Sequence, residues 1–421
     1  VSVSWIVEMN SNSFKWFNRP FFKNFKESYP NLKLISGGHR IGLVSAIIPY
    51  TDYHFHGFSD NSFVEFLKLI HGLPNQLALK QNNMLSGYTI DGNTDHPMIH
   101  MDDIETILEP EDKFLPYQPV PIELSRGCIF RCAFCHHPYQ GKKDYDLYMR
   151  SPESIAQELK RNYDMFGTTR YAITDDTFND TDEKIYRLQK GIELAKLPKF
   201  EFVGYIRPDI IVNKPHMIDS LVSLGLKGAF VGIESMNQES RKAIGKGTDI
   251  DKVIEVCHNL AEQKVLIHAG MIVGLPYDTA ETVSKAHEYF MSGNSPFRFW
   301  IWAGLFLKKE YGMNFDDANS TLDKNPGKYG YTFQDADIKT GTAYWTNKNF
   351  DVHTASALAK KLNQESHKIM KYAGWRVAGA WNVGMSDDEI MNNQLSLEES
   401  NTIMLNHYIE RSKLELRSLL K

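Results

Sequence analysis

The chain has 421 residues, of which 42% are hydrophobic and 24% charged, and its formal net charge is −5. A chain of this length and composition can bury one large hydrophobic core and a smaller one. The slightly acidic balance gives no support for a nucleic-acid partner, which would normally require a basic face. No apolar run approaches the ~20 residues that span a bilayer, and no signal peptide is visible. We therefore expect no membrane partner and a cytoplasmic location, although a first residue of Val1 leaves open whether the natural protein extends upstream.

Residues 1–75 are predicted to form a small, Rossmann-like α/β domain. An amphipathic helix at Asn61–Ile70 follows three short apolar segments that read as strands. These segments are Val1–Val7, Leu32–Ile35 and the stretch around Tyr53–Phe55. Residues 76–118 are rich in Asn, Asp and Pro turns and are predicted to be a linker.

Three of the four cysteines follow the next predicted strand, as Cys128, Cys132 and Cys135 in a C-x3-C-x2-C spacing. Three thiolates on one tight loop can hold three irons of a [4Fe-4S] cluster and leave the fourth iron without a protein ligand. The alternatives are three unrelated buried thiols and a structural zinc site. A zinc site requires four ligands, and His136 and the neighbouring histidine lie too close along the loop. The remaining cysteine, Cys257, falls on a helical apolar stripe and is predicted to pack in the core.

This cysteine spacing closely resembles the signature of the radical S-adenosylmethionine (radical SAM) superfamily. The resemblance implies a [4Fe-4S] cluster whose open iron chelates the amino and carboxylate groups of SAM. It also implies reductive cleavage of SAM to a 5′-deoxyadenosyl radical. An external electron donor such as flavodoxin or ferredoxin is then an expected partner.

Residues 119–307 read as repeated strand–helix units, which predict a parallel sheet with right-handed crossovers. Six such units match the partial (β/α)6 barrel of radical SAM enzymes, in which reactive residues collect at the C-terminal ends of the strands. The predicted strands are Pro119–Ser125, Arg170–Thr174, Phe202–Ile206, Ala229–Ile233, Val265–Val273 and Phe297–Phe306.

Polar residues at these strand ends either cap helices and form rim salt bridges or bind the cofactor. The resemblance favours binding. Glu234 would bind the ribose or amino group of SAM, and Arg207 and Lys246 its carboxylate. The fifth strand reads Gly-Met-Ile-Val-Gly-Leu-Pro from residue 270, which is the G-x-I-x-G-x-P pattern of the superfamily. The complete set of predicted cofactor-binding residues is Phe134, Arg207, Glu234, Ser235, Lys246, Ile272 and Gly274.

Within that set, the backbone of Phe134 is expected to meet the adenine, and Ile272 to Gly274 would lie beneath it. Asp175 ends the second strand at a position that faces SAM or substrate in related enzymes. Asp175 and Tyr205 are the predicted catalytic residues.

The N-terminal segment resembles part of the cobalamin-binding domain found in many radical SAM proteins. The stretch from Asp52 through His54 to Gly57 matches the cobalt-ligating D-x-H-x-x-G motif. In cobalamin domains that motif precedes the strand ending in Gly-Gly, whereas here it follows Gly37-Gly38. We therefore interpret the match as coincidental, and cobalamin as a cofactor that the motif order does not favour.

Residues 308–421 are predicted to form a long loop over 308–350 and helices at about His353–Tyr372 and Leu397–Leu419. The aromatic residues near this loop either pack in the core or form the wall of a substrate pocket. No small basic β-barrel and no second cysteine cluster follow the barrel, which weakens a resemblance to tRNA methylthiotransferases.

The leading functional hypothesis is hydrogen abstraction from a peptide or small-molecule natural product, with peptide maturation as the first subclass. The alternatives are a cobalamin-dependent radical SAM methyltransferase and a non-enzymatic metal-binding protein.

Overall fold

The fold is taken from a computed structural model. The predicted strand Val1–Val7 and most of the predicted helix Leu397–Leu419 lie outside the residues that it describes. Within the described residues, no helix is long and apolar enough to cross a membrane. The described residues are 24, 26–37, 51–56, 59–81, 87–91, 100–135, 148–307, 320–336, 343–368, 370 and 377–392, with scattered positions between 399 and 413.

A four-stranded sheet forms the N-terminal part, in the order β1-β2-β4-β3. Strands β1, β2 and β4 are parallel, and β3 is antiparallel to β4. Helix α1 follows β2, and its Phe66 packs against Phe55 and Ile90 of the sheet. The elements are β1 (Ile35–Gly37), β2 (Tyr53–His56), α1 (Asp60–Ile70), β3 (Lys80–Gln81) and β4 (Tyr88–Asp91).

The prediction that residues 76–118 form a simple linker is wrong in its first part, because β3 and β4 lie there and complete the N-terminal sheet. The alternation of Tyr88 and Ile90 is too short to stand out among the surrounding turn residues. Ile90 is nonetheless buried against Phe66, and this burial stabilises the strand. The remainder, before residue 119, contains two short 3-10 turns, at Met101–Asp103 and Pro110–Asp112.

Six parallel strands form the central sheet, in the order β10-β9-β8-β7-β6-β5. Each strand pairs with its neighbour in sequence, so the chain winds in one direction and forms the predicted partial barrel. The strands are β5 (Val120–Ile122), β6 (Arg170–Ile173), β7 (Glu201–Tyr205), β8 (Leu226–Glu234), β9 (Leu266–Val273) and β10 (Phe297–Gly304).

The helices between these strands begin and end where the sequence indicates. The side chain of Ser151 caps the first, and Gly167 ends it in the left-handed conformation at φ 66°. Thr181 caps the second in the same way. The helices are α2 (Pro152–Phe166), α3 (Asp182–Ala195), α4 (Pro208–Asn213), α5 (Met217–Ser223), α6 (Gln238–Ala243), α7 (Ile250–Glu262) and α8 (Ala280–Met291).

The two faces of the central sheet have different neighbours. On the outer face, Val231 and Ala269 belong to the same core as Leu260 of α7. On the inner face, Val203 and Leu266 pack with the C-terminal region instead. This division leaves the inner face of the barrel available for a site.

The C-terminal region contains short elements inside the segment predicted as a loop. Helix α10 (Val352–Ser366) packs on β10, where Ser366 accepts a 2.8 Å hydrogen bond from the indole of Trp300. Helix α11 (Val377–Asn382) lies against the inner face of the barrel. The other elements are α9 (Thr321–Lys324), a 3-10 turn at Pro326–Tyr329, β11 (Thr332–Ala336), β12 (Ala343–Thr346) and α12 (Asp387–Met391).

Most of the aromatic residues of this region that the structure describes pack in the core rather than form the wall of an open pocket. Exposure below 5% places four of them in the core, namely Trp300, Trp302, Tyr331 and Trp345.

Candidate active site

The loop carrying Cys128, Cys132 and Cys135 follows β5 at the C-terminal edge of the barrel, and all three thiols are half-buried. Its backbone is held from both sides. The Ala133 amide donates to the Ile244 carbonyl at 3.0 Å, and the Ala133 carbonyl accepts from the backbone amide of residue 322 at 2.9 Å. The loop is therefore a fixed part of the barrel rim.

Asp175 fixes the chain immediately before the cysteines. Its carboxylate accepts hydrogen bonds from the Leu124 and Ser125 amides at 2.8 and 3.1 Å, and from the Ser125 hydroxyl at 2.6 Å. At 1% exposure it is enclosed by these donors. The oxygens of Asp175 therefore hold the polypeptide before the cysteine loop, and its catalytic role stays a prediction.

Lys184 connects Asp175 to the next turn. Its ammonium lies 3.4 Å from Asp175 and 3.0 Å from Asp180, and it donates to the Thr177 carbonyl at 2.6 Å. Burial lowers the pKa of Lys184, but the two aspartates outweigh burial and hold that pKa above its ordinary value. The Thr177 hydroxyl in turn lies 3.4 Å from the Cys128 sulfur. The buried Asp175–Lys184 pair is therefore connected to Cys128 in two ways, through the backbone at Ser125 and through Thr177.

Arg207, which the sequence predicts to bind the SAM carboxylate, lies beside the second cysteine of the loop; its contact with SAM stays a prediction. Its Nη1 donates to the Cys132 sulfur at 3.5 Å, Nη2 donates to the Gly245 carbonyl at 3.3 Å and Nε donates to Asp209. The guanidinium also lies 3.8 Å from the centre of the Phe130 ring. Burial opposes the charge, but Asp209 and Cys132 keep the pKa of Arg207 raised. Arg207 thus places a fixed positive charge beside the second cysteine.

Glu234 and Lys246, both predicted to bind SAM, are brought together at the end of β8. Their side chains form a 3.1 Å ion pair, and Lys246 also donates to the Gly232 carbonyl. Glu234 has a left-handed backbone at φ 66°, which folds its side chain back over Gly232. A Cβ on Gly232 would lie only 2.1 Å from the Glu234 carboxylate. The pair also lies near the cysteines. Gly245, the residue before Lys246, approaches the cysteine loop, and a Cβ placed on it would be 3.8 Å from the Cys132 Cα.

Ser235 binds a buried carboxylate that the sequence analysis did not select. The hydroxyls of Ser235 and Ser240 both donate to Asp278 at 2.8 Å. Burial raises the pKa of Asp278 to about 6, against the smaller lowering effect of these hydrogen bonds. Only the position of Asp278, two residues after the G-x-I-x-G-x-P pattern, could have indicated it.

Asp278 gives a prediction for stability against pH. Because its pKa is raised in the folded chain, the folded state binds more protons than the unfolded state between about pH 4 and 6. This group should make the free energy of unfolding fall as pH rises through that range, by up to roughly 1.4 kcal/mol per pH unit. Asp278→Asn should flatten that slope in urea unfolding measured at pH 4.5 and 7. An unchanged slope would contradict the assignment.

The remaining residues predicted to bind the cofactor lie in the cysteine loop and at the end of β9. Phe134 is half-buried and packs against the core, and Ile272 is half-exposed on β9. Gly274 has φ 100°, and a Cβ there would lie 2.6 Å from the Trp345 ring. Its carbonyl accepts a 2.7 Å hydrogen bond from the Tyr331 hydroxyl. A tryptophan of the C-terminal region therefore lies close to Gly274, and the contact of Gly274 with adenine stays a prediction.

Tyr205 lies at the end of β7, two residues before Arg207, and its ring contacts Phe230 at 4.9 Å. It remains a candidate for substrate contact from inside the barrel. As predicted, Cys257 is fully buried in the core, and burial raises the pKa of its thiol.

His54 lies within β2, where it pairs with Ser36 and Thr89, and it is 1% exposed. Asp52 of the same motif match accepts hydrogen bonds from Lys26 at 2.6 Å and from the Leu34 amide at 2.8 Å. These residues serve the N-terminal sheet, so His54 does not fit the role of an axial cobalt ligand.

The donor set fits an iron–sulfur cluster in its chemistry. Three half-buried thiols share one loop with a guanidinium beside the second. Among the described side chains, no three His, Cys, Asp or Glu residues converge as a preformed metal site.

Residues 122–290 match the Radical SAM superfamily. The chain carries a radical SAM domain. The matched range begins in β5 and ends in α8, so it includes the cysteine loop and the Glu234–Lys246 pair.

Relatives that match part of this chain include methyltransferases. Bacteriochlorophyllide d C-12(1)-methyltransferase of Chlorobaculum tepidum is 23% identical over 43% of this chain and 39% of its own length. Hopanoid C-2 methylase of Rhodopseudomonas palustris is 24% identical over 38% of this chain and 31% of its own length. The match therefore spans less than two-fifths of either relative.

Two solved structures share the fold over most of the chain. One is the radical SAM methyltransferase TsrM from Kitasatospora setae, with cobalamin and a [4Fe-4S] cluster bound. It aligns with a TM-score of 0.59 and 13% identity, over 93% of this chain and 84% of its own. The apo cobalamin-dependent SAM radical enzyme OxsB aligns with a TM-score of 0.54 and 13% identity, over 96% of this chain and 71% of its own. At such identities the likeness establishes the fold alone.

Proposed function

We propose that this protein is a radical SAM enzyme that cleaves SAM reductively and abstracts hydrogen from its substrate. The observation that carries the proposal is the contact between the cysteine loop and the segment bearing Lys246. Arg207 contacts both Cys132 and Gly245, and the next residue, Lys246, pairs with Glu234. The cysteines and the polar pair are therefore parts of one site.

A [4Fe-4S] cluster on the three cysteines would supply the electron and an iron open to the methionine moiety of SAM. The chain's own residues position the cysteine loop and SAM and offset their charges. Arg207 offsets negative charge at Cys132, and Glu234 and Lys246 offer an acceptor and a donor to the zwitterionic amino acid of SAM. Asp175 and Lys184 hold the base of the loop in place.

Glu234 gives the test of SAM binding. Glu234→Gln should weaken SAM binding by about 1.5–3 kcal/mol, because it removes a charge-assisted hydrogen bond. Titration calorimetry on the reconstituted protein measures the change. Glu239→Gln, which alters an exposed carboxylate on α6, should leave the affinity unchanged. Equal affinities in both variants would return Glu234 to the role of a rim salt bridge.

Methyl transfer to a small molecule is the second candidate for the reaction that SAM cleavage initiates. The relatives reported above favour it over the peptide maturation predicted from the sequence. For either reaction, flavodoxin or ferredoxin is the proposed donor of the electron that SAM cleavage requires. Transfer of deuterium from SAM labelled in its methyl group, detected by mass spectrometry, distinguishes methyl transfer from abstraction alone.

Cobalamin retention is a separate question for the same protein. Since His54 is buried within β2, we expect no corrinoid binding through it. Reconstitution with hydroxocobalamin and subsequent desalting tests retention, and His54→Ala tests the ligand. Stoichiometric corrinoid that the variant loses would contradict the structural role of His54.

A further inference from the structure

The inner face of the barrel encloses a cavity of about 290 Å³. Strands β6 to β10 and helix α11 line it. Val377 of α11 closes its floor, packing where Gly228 has no side chain, since a Cβ there would lie 2.7 Å from Val377. The cavity is near the lower end of the volumes typical of small-molecule sites.

A row of aromatic rings crosses this cavity. Tyr205, Phe230, His268 and Phe299 lie on four neighbouring strands, each directly opposite the next in register. Successive ring centroids are 4.9, 4.8 and 4.2 Å apart, with the rings edge to face. Edge-to-face contacts within the row fix the rings against one another, so the row is a rigid, polarisable surface.

All four rings of the row line the cavity, and three of them keep part of their surface exposed, whereas Phe299 is buried. Tyr205, Phe230 and His268 are all half-exposed although they lie inside the barrel. Two residues further along β8 and β9, on the same face, are Gly232 and Gly270. The Glu234 carboxylate and the Lys246 ammonium occupy the space over Gly232, 2.1 and 3.0 Å from a Cβ placed there, so the aromatic row lies next to the polar pair of the candidate site.

The cavity also has one cationic edge, because Arg298 lines it and is exposed. A guanidinium recognises carboxylates and other planar anions. We infer that this cavity binds a one- or two-ring aromatic substrate that carries an anionic group, with its ring against the aromatic row. The inference rests on the proposed function and specifies the class of its substrate.

Titration calorimetry with two probes tests the proposed substrate class. It uses the full chain, reconstituted with iron and sulfide. Indole-3-carboxylate should bind at least tenfold more tightly than cyclohexanecarboxylate, which has the charge without the aromatic faces. Phe230→Leu should weaken indole-3-carboxylate about five- to tenfold, and Ala378→Phe, which fills the cavity from α11, should weaken it further. The matched control Phe63→Leu, on the exposed face of α1, should leave the affinity for indole-3-carboxylate unchanged.

Arg298→Gln should weaken indole-3-carboxylate and leave neutral indole unaffected. Equal binding of the two carboxylates, or unchanged affinity in both cavity variants, would overturn the inference. The formation of 5′-deoxyadenosine by the wild-type protein is measured in parallel. Wild-type protein that cleaves SAM without discriminating between the probes loses only the substrate class, whereas one that forms no 5′-deoxyadenosine loses the proposed function.

Discussion

Cys132→Ala should abolish the formation of 5′-deoxyadenosine and lower the iron content of the reconstituted protein well below four per chain. Cys132 is the cysteine that Arg207 contacts, and its loss removes one of three ligands from the loop. The loop lies on the rim of the barrel, so the fold should persist by circular dichroism. Anaerobic reconstitution with chromatographic detection of 5′-deoxyadenosine measures the effect.

Cys257→Ala is the matched control for that experiment. Cys257 lies on α7 and is fully buried in the core. Its replacement should destabilise the protein by roughly 1–2 kcal/mol through a small cavity, while iron content and SAM cleavage persist. Iron lost from this control, or SAM cleavage retained by Cys132→Ala, would contradict the assignment of the cysteines.

Asp175→Asn should have the second largest effect, on stability and on cluster loading together. The amide would leave Lys184 with one carboxylate partner fewer and could not accept all three donors from Leu124 and Ser125. Breaking a buried ion pair of this kind costs roughly 3–5 kcal/mol. Urea unfolding measures the loss, and iron analysis after reconstitution shows whether the loop still holds the cluster.

Asp164→Asn is the control, because Asp164 makes only an exposed ion pair with Lys160 and should cost less than about 1 kcal/mol. If Asp175→Asn were as stable as this control and kept its full iron content, the positioning role of Asp175 would be wrong.

The sequence was sufficient for the six strands of the barrel because each is an apolar segment and several of the helices between them carry clear start and stop signals. Ser151 and Gly167 mark one such helix at both ends. It was insufficient for β3 and β4, which contain two and four residues; β4 pairs with β2, and β3 pairs with β4. Strands this short have little local pattern, so strand pairing and the tertiary contact of Ile90 of β4 with Phe66 stabilise them rather than local preference.

The sequence likewise predicted one part of the candidate site and missed another. The strand-end rule placed Asp175 and Arg207 correctly at the rim but could not show what each contacts. The partners of Asp175 lie 50 and 51 residues upstream, and Cys132 lies 75 residues before Arg207. The aromatic row was hidden for the same reason, since the register between strands decides which rings meet.

Electron paramagnetic resonance of the reduced, reconstituted protein, recorded without and with SAM, tests the central claim most directly. If Cys128, Cys132 and Cys135 hold a [4Fe-4S] cluster with one iron open to SAM, the reduced cluster should give a signal that changes when SAM is added. Glu234→Gln should need more SAM for the same change. A signal that SAM leaves unaltered at saturating concentration, or no cluster signal at all, would contradict the account.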